Sequence, residues 1–305
     1  MATLSLWWRA VRPFSFTVSV IPPFLGTMIA VMDVPGLAIH WPHFILTLIG
    51  CPMAHAGANL LSDYYDYLKG VDREGTYGSS GLLVAKKIEP GTIRLGAWTL
   101  LAGAALIGVY LGLRNSNSAL LFGVMLLGGL LGVFYTAGPV ALKYRALGDL
   151  AVFFAFGSLM VLGAYVVQTH RFSWNPVLYA VPIALLVDAI LHSNNLRDIE
   201  NDSAVPITTL AGAVGKEASK AIYYGLISGA YLITVLLILF AGLPLISLVT
   251  FISLPLGLKL ISTVRDMDKI PLSQFARIDA DTAQFHSAFG ALLLASLLIQ
   301  HLLIR

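Results

Sequence analysis

The chain has 305 residues, of which 57% are hydrophobic and 11% charged, and its mean hydropathy is +0.81. Many apolar runs of about 20 residues exclude a soluble enzyme and describe an all-α, polytopic membrane protein. A net charge of +3 says less than its placement will, and the single cysteine, Cys51, excludes an internal disulfide framework or a cysteine-rich metal site.

From the N-terminus, Trp7, Trp8, Arg9 and Arg12 precede an apolar segment over 14–32 and read as an interfacial anchor. No short apolar core ending in a small-residue cleavage site stands out there, so a retained first helix is expected. Further apolar segments fall near 42–62, 95–113, 118–136, 148–168, 176–194, 219–240, 245–264 and 282–304. The pattern predicts about nine membrane helices in a single domain, with two pseudo-related halves over 1–147 and 148–305.

With the N-terminus on the cytoplasmic side, Arg114, Arg171 and Arg305 fall outside and the other sixteen of the nineteen Lys and Arg residues fall inside. This positive-inside bias supports both the orientation and the helix count. Most acidic residues also sit on the inner face, which that rule does not require; Asp33 is placed outside and Asp188 well within a helix. Carboxylates and cations gathered on one face suit a phosphorylated substrate with bound metal.

Two stretches on that face carry chemistry. NLLSDYYDYLKGVD runs from Asn59 to Asp72 at the end of the second helix. Asn59, Asp63 and Asp66 fall on one helical face at spacings of four and three, and Asp72 follows beyond Gly70, where the helix is expected to break. NNLRDIEND runs from Asn194 to Asp202 and repeats the arrangement, with Asn194, Asp198 and Asp202 at spacings of four and four. Either stretch alone could be a solvated helix end. Two such clusters in corresponding halves favour a shared site in which carboxylate oxygens hold a hard cation such as Mg2+, leaving positions open for a diphosphate.

Three other features are ambiguous in sequence. Asp188, His192 and Asn195 continue the second stripe into the bilayer, where Asp188 could orient a bound hydroxyl group, accept a proton, or simply bond two helices together. His55 reads more readily as a satisfied core histidine. Tyr64, Tyr65, Tyr67 and Tyr77 flank the carboxylates but are also ordinary interfacial tyrosines, and Gly78 to Gly81 form a small-residue loop able to bring backbone N–H groups near a diphosphate.

NNLRDIEND followed by TTLAGAVG, together with DYYDYLKGVD, resembles the UbiA superfamily of intramembrane aromatic prenyltransferases, in particular the branch that prenylates 1,4-dihydroxy-2-naphthoate in menaquinone synthesis. RPFSF (Arg12 to Phe16), GSSGLLV (Gly78 to Val84) and YTAGPVALKYRALGD (Tyr135 to Asp149) extend the likeness over most of the chain. The resemblance implies nine helices around a central cavity open sideways to lipid, capped by cytoplasmic loops that hold two metal ions. It also implies Mg2+ as cofactor and a polyprenyl diphosphate, an aromatic acceptor and the lipid bilayer as partners, with no nucleic acid.

Some residues depart from that pattern. Ser62 stands where the family commonly has asparagine before the DYYD-type segment, and Ser203, Pro206, Ile207 and Thr208 replace an expected basic residue and glycine. Lys143 and Arg145 are the compensating cations expected near a diphosphate, with Arg197, Lys69 and Arg73 behind them.

The expected site therefore has Asp63, Asp66, Asp72, Asp198 and Asp202 as metal ligands, with Asp66, Asp198 and Asp188 central to catalysis. Asn59, Ser62, Tyr67, Arg73, Lys143, Arg145, His192, Asn194, Asn195 and Arg197 are expected to bind substrate. Metal held by opposed carboxylates would neutralise a departing diphosphate, and burial would keep water from the allylic cation, so no covalent nucleophile is needed. Other acceptors (4-hydroxybenzoate, homogentisate or a lipid glycerol ether) would use the same diphosphate half. A transporter would also carry intramembrane carboxylates, but at the midplane and in helices broken at matched glycines and prolines.

Overall fold

A computed structural model describes residues 3–304, so Arg305, placed outside by the charge count, lies beyond the described residues. A short helix α1 (Leu4–Ala10) leads through a 3-10 turn (Pro13–Phe16) into α2 (Thr17–Asp33). Then follow α3 (Trp41–Leu68), α4 (Pro90–Leu113), α5 (Ser118–Val133), α6 (Gly148–Thr169), α7 (Asn175–Arg197), α8 (Lys216–Phe240), α9 (Leu245–Arg265) and α10 (Ile278–Ile304). Among the described residues eight helices are long and apolar enough to cross a membrane. The segment expected to supply a further crossing is α5, apolar but only 16 residues long.

The bundle has an inside and a rim. α2 and α7 are mostly buried, and α7 packs against α6, α8 and α10 while α2 packs against α6, α3 and α10. Leu25, Ile29, Val161, Tyr165, Ile183, Leu186, Phe285 and Phe289 form their shared core. Burial of such side chains at roughly 25 cal/mol per Å² is the usual stabilising term, though lipid replaces water on the outer faces. α4 is a rim helix, with Leu95, Trp98, Leu106 and Leu113 turned outward. An exposed apolar face of this kind is what lipid covers.

Connections at the two ends of the bundle differ. At one end Ser173 and Asn175 donate to Asp33, Asn115 donates to the Val166 carbonyl, and the His40 N–H meets Gln168. At the other end the long connections over 69–89, 134–147, 198–215 and 266–277 gather. Two of these are joined by a two-residue β-bridge, Ala146 N–H to the Thr208 carbonyl at 2.7 Å and Thr208 N–H to the Tyr144 carbonyl at 3.1 Å. Ile207 and Thr208, which differ from the family pattern, thus lie where the loops of the two halves are tied.

α3 explains how the first motif leaves the bilayer. Its 28 residues span about 42 Å against a hydrocarbon core of about 30 Å, so the last turns protrude. The helix ends at Gly70, whose φ of +70° is cheap only for glycine, and the Val71 N–H then returns to the Asp66 carbonyl at 2.9 Å. The expected break at Gly70 is therefore where α3 stops, although the helix runs six residues beyond the predicted boundary at 62.

Candidate active site

The two acidic motifs meet in a cleft lined by Asp72, Thr76, Gly78, Lys143, Asn194, Asn195, Asp198, Asn201 and Asp202. α3 carries Asp63 and Asp66 in its last turns. Asp198 caps α7 and a short turn, Ile199–Asp202, continues from it, with Asp202 N–H donating to the Asp198 carbonyl at 2.8 Å. That bond keeps the two carboxylates one turn apart even though the helix is interrupted between them.

In the first motif most oxygens already have partners. Asp63 accepts from the Arg12 guanidinium at 2.7 Å and from the Ser80 N–H at 3.1 Å. Asp66 accepts from Lys143 at 2.7 Å, Tyr144 at 2.8 Å and Ser62 at 3.0 Å. Asn59 faces the N-terminal segment and donates to the Val11 carbonyl. Ser62 thus serves its own carboxylate neighbour, Asp63 holds the 78–81 loop, and Asp66 alone of the pair takes the 134–147 connection.

The second motif is held by Arg197, which is buried. It donates to both Asp198 oxygens, at 3.1 and 2.7 Å, to the Ala276 carbonyl at 2.9 Å, and forms an ion pair with Asp279 at 3.2 Å. Asn194 also donates to Asp279. Asp279, in the first turn of α10, thereby anchors the motif, a role with no signal in spacing because Asp279 and Arg197 are 82 positions apart.

Close backbone approach joins the halves. A Cβ on Gly78 would lie 3.2 Å from an Asp198 oxygen and 3.6 Å from the Asn194 side-chain oxygen, so a side chain there would press on the carboxylate. Arg73 donates to the Asn201 carbonyl at 2.8 Å and Arg12 to the Gly78 carbonyl at 3.0 Å, fastening the same loop from both sides.

Electrostatics divide the carboxylates into two kinds. Asp72 and Asp202 enter no ion pair among the described residues. Burial, reinforced by Asp66 and Asp63, pushes Asp72 up to about 7. Burial likewise pushes Asp202 up to about 6, with Lys143 pulling it down and Asp198 and Asp66 pushing it up. Burial acts most strongly on Lys143 and disfavours its charge, but Asp66, Tyr135 and Asp72 together outweigh that and hold the ammonium above its ordinary range. Crowded carboxylates served by few cations, beside amides and a lysine, are a suitable donor set for hard cations and a diphosphate. Among the described residues no three His, Cys, Asp or Glu side chains close on one point. Arg197 spans Asp198 and Lys143 holds Asp66, so an ion that used either of these two carboxylates would compete with its cation.

The remaining predicted site residues separate into three groups. Arg145 is exposed and its guanidinium reaches only the Pro139 carbonyl, leaving Lys143 as the basic residue of that loop in the cleft. Tyr67 packs in an apolar cluster with Leu60, Leu61 and Leu82. His192 is fully buried and turns away from the cleft: its Nδ1 meets Asp149 at 2.6 Å and its Nε2 meets the Ser219 hydroxyl at 2.8 Å. Asn195, which borders the cleft, donates to the other Asp149 oxygen at 3.4 Å. Asp188 lies on the same stripe beside Asp149. Sequence reasoning misses Asp149 as a site residue; it ends the YTAGPVALKYRALGD segment, but no spacing there links it to His192.

A profile of the UbiA prenyltransferase family matches residues 19–279. The chain is 31% identical over 296 residues to 1,4-dihydroxy-2-naphthoate octaprenyltransferase of Bacillus subtilis, covering 96% of this chain and 92% of that protein. It is 36% identical over 235 residues to human UbiA prenyltransferase domain-containing protein 1, covering 73% of this chain but 65% of the longer relative. Among solved structures, a UbiA homolog from Archaeoglobus fulgidus bound to GPP and Mg2+ superposes with a TM-score of 0.64 at 16% identity, over 95% of this chain and 99% of that one. A UbiA homolog from Aeropyrum pernix gives 0.63 at 16% identity, over 93% and 97%. At those identities the structural likeness speaks for the fold.

Proposed function

Since this chain belongs to the UbiA prenyltransferase family and is an integral membrane prenyltransferase, we propose that it transfers a polyprenyl group from its diphosphate to 1,4-dihydroxy-2-naphthoate, with Mg2+, on the cytoplasmic side of its membrane. The observation that carries the diphosphate half is the meeting of Asp72, Asp198 and Asp202 with Lys143 in one cleft between the halves. The full-length similarity to the Bacillus subtilis enzyme supports the naphthoate acceptor.

In this reading Asp66, Asp72, Asp198 and Asp202 hold Mg2+, which when bound supplies Lewis-acid neutralisation of the departing diphosphate. Lys143 and Arg197 exchange a carboxylate partner for diphosphate oxygens. Arg197 can do so while Asp279 and the Ala276 carbonyl keep it in place. Asp63 keeps to Arg12 and the Ser80 N–H, holding the 78–81 loop over the cleft. Asp188 belongs to the acceptor side, and the apolar walls exclude water from the allylic cation.

Mass spectrometry of products from purified protein, one prenyl diphosphate and a panel of aromatic acceptors tests this directly. The prenylated naphthoate product is expected, and only without excess chelator. Exclusive prenylation of 4-hydroxybenzoate, homogentisate or a glycerol ether would overturn the acceptor assignment, and full turnover in chelator would overturn the metal. Orientation is tested by single cysteines at Lys87 and Ser116, both exposed, in a Cys51→Ser background. Impermeant reagent is expected to label Lys87→Cys from the cytoplasmic side and Ser116→Cys from the other.

A further inference from the structure

A second polar group lies inside the bundle, apart from the cleft. Asp149 stands in the first turn of α6 and Asp188 in the middle of α7, and their carboxyls are within hydrogen-bonding reach of each other. The described residues place no Lys or Arg in an ion pair with either. Asp149 has its own donors, His192 Nδ1 at 2.6 Å and the Asn195 amide at 3.4 Å. One Asp188 oxygen is buried and has no donor among the described residues. A carboxylate that serves only to join helices in a bilayer finds a cation or N–H groups, because leaving it unpaired there is costly. Asp188 finds another carboxyl.

The surroundings allow a proton to arrive. His192 Nε2 faces both the Ser219 hydroxyl at 2.8 Å and the Ser219 carbonyl at 3.1 Å, so the ring has a partner whether that nitrogen accepts or donates. Asp188 retains 9% of its surface, while His192 and Ala189 on the same helix retain none, so it is the carboxyl that an entering molecule can touch. Beside it α6 takes a π-helical turn over Phe153–Leu159, and Gly157 lets that turn press against Ala184, one helical turn before Asp188. Asp188 is ten residues before Asp198, about 15 Å deeper along α7.

Resting on the prenyltransferase reading above, we propose that the Asp149 and Asp188 carboxyl pair is the base of the acceptor site, taking the hydroxyl proton of a hydroxyaromatic acceptor. The O–H bond breaks onto Asp188, the only one of the two to touch the acceptor, as a proton shared between the carboxyls moves toward Asp149. The oxygen's electron pair enters the ring, whose carbon bonds to the allylic carbon, and the allylic C–O bond breaks with its electrons going to the diphosphate. Asp188 then returns its proton to the ring oxygen while the hydrogen on the substituted ring carbon leaves as a proton with the diphosphate. Asp149 and His192 are positioning residues for this step.

The test uses full-length protein in lipid vesicles with a prenyl diphosphate and naphthol or phenol acceptors of graded hydroxyl acidity. In the wild type, kcat is expected to depend only weakly on that acidity; a steep rise with acidity would show that no base acts and would overturn the proposal without any variant. Asp188→Asn is expected to lower kcat with an ordinary acceptor by ~10²-fold or more, with partial rescue by the most acidic one. Its KM for prenyl diphosphate and its acceptor-independent release of prenyl alcohol should stay unchanged. Asp149→Asn is expected to act in the same direction more weakly. If Asp188→Asn instead loses prenyl-alcohol release in parallel, or loses equally with every acceptor, the pair is structural. Wild-type protein that prenylates none of these acceptors would sink the functional reading itself, whereas an active wild type matched by Asp188→Asn sinks only this inference.

Discussion

The cleft and the intramembrane pair are built from the same side chain in different company. At the cleft Asp63, Asp66 and Asp198 each face a cation, while Asp72 and Asp202 crowd beside them without an ion pair among the described residues. Inside the bundle Asp149 and Asp188 face each other and an imidazole, and among the described residues neither forms an ion pair with a guanidinium or ammonium. Cations make the first group a place to exchange charge, suited to an anion that arrives with metal. Their absence makes the second group suited to moving a proton. One fold can thus separate the handling of the leaving group from the handling of the acceptor by about one cavity depth.

The largest expected effect comes from removing charge at the cleft. Asp66→Asn and Asp198→Asn should each reduce turnover by ~10³-fold, comparable with losing a main charge-stabilising group, in an assay of prenyl transfer in vesicles. Asparagine is the informative substitution, because Asp66→Ala would leave Lys143 and the Tyr144 hydroxyl without their partner and cost about 3–5 kcal/mol of stability as well. Near wild-type turnover in Asp66→Asn would erase the distinction between the two regions.

Next in size is a pH effect confined to the cleft. Asp72 and Asp202 have native values raised to about 7 and about 6, above the 3.8 of an ordinary aspartate. Between about pH 4 and 7 the native state therefore binds more protons than the unfolded one, and these groups lower the stability of the metal-free protein as pH rises. A cation that takes their charge must displace those protons. Mg2+ is thus expected to bind more tightly, and to raise the melting temperature more, as pH increases from 6 to 8, with Asp72→Asn flattening the trend. A metal-induced shift independent of pH would break this part of the comparison.

A smaller loss, roughly tenfold or less, is expected for Gly78→Ala, as the added methyl would press on Asp198 from 3.2 Å and shift it slightly. The smallest belongs to Arg145→Ala. Its side chain lies at the surface, so activity within about twofold of wild type is expected, against a large loss for Lys143→Ala. Equal losses for both would restore the sequence-based pairing of these cations.

Much of the cleft is legible in the sequence because charge next to an apolar run is rare and a repeated spacing is rarer. Asp63, Asp66, Asp198 and Asp202 announce themselves in this way, and Gly70 marks the end of α3 by the same economy of types. Asp149 and Asp279 do not. Each is an acid in the first turn of a helix, where carboxylates are common for reasons of the helix dipole alone, and each gains its role from a partner 43 or 82 positions away. Nor could spacing say that Asn59 and Ser62 serve neighbouring backbone and carboxylate, or that His192 points to α6. Helical periodicity assigns a face, and the packed neighbour decides what that face meets.

The short helix α5 has a consequence for the lipid around the enzyme. Its 16 residues reach about 24 Å, some 6 Å less than a typical hydrocarbon layer, and it packs against the π-helical turn of α6. A bilayer that α5 crosses would have to pinch or draw its headgroups inward on that flank. Membrane thickness thereby becomes a variable acting on the wall that holds Asp149, and vesicles of shorter acyl chains should accommodate the protein with less distortion than longer ones.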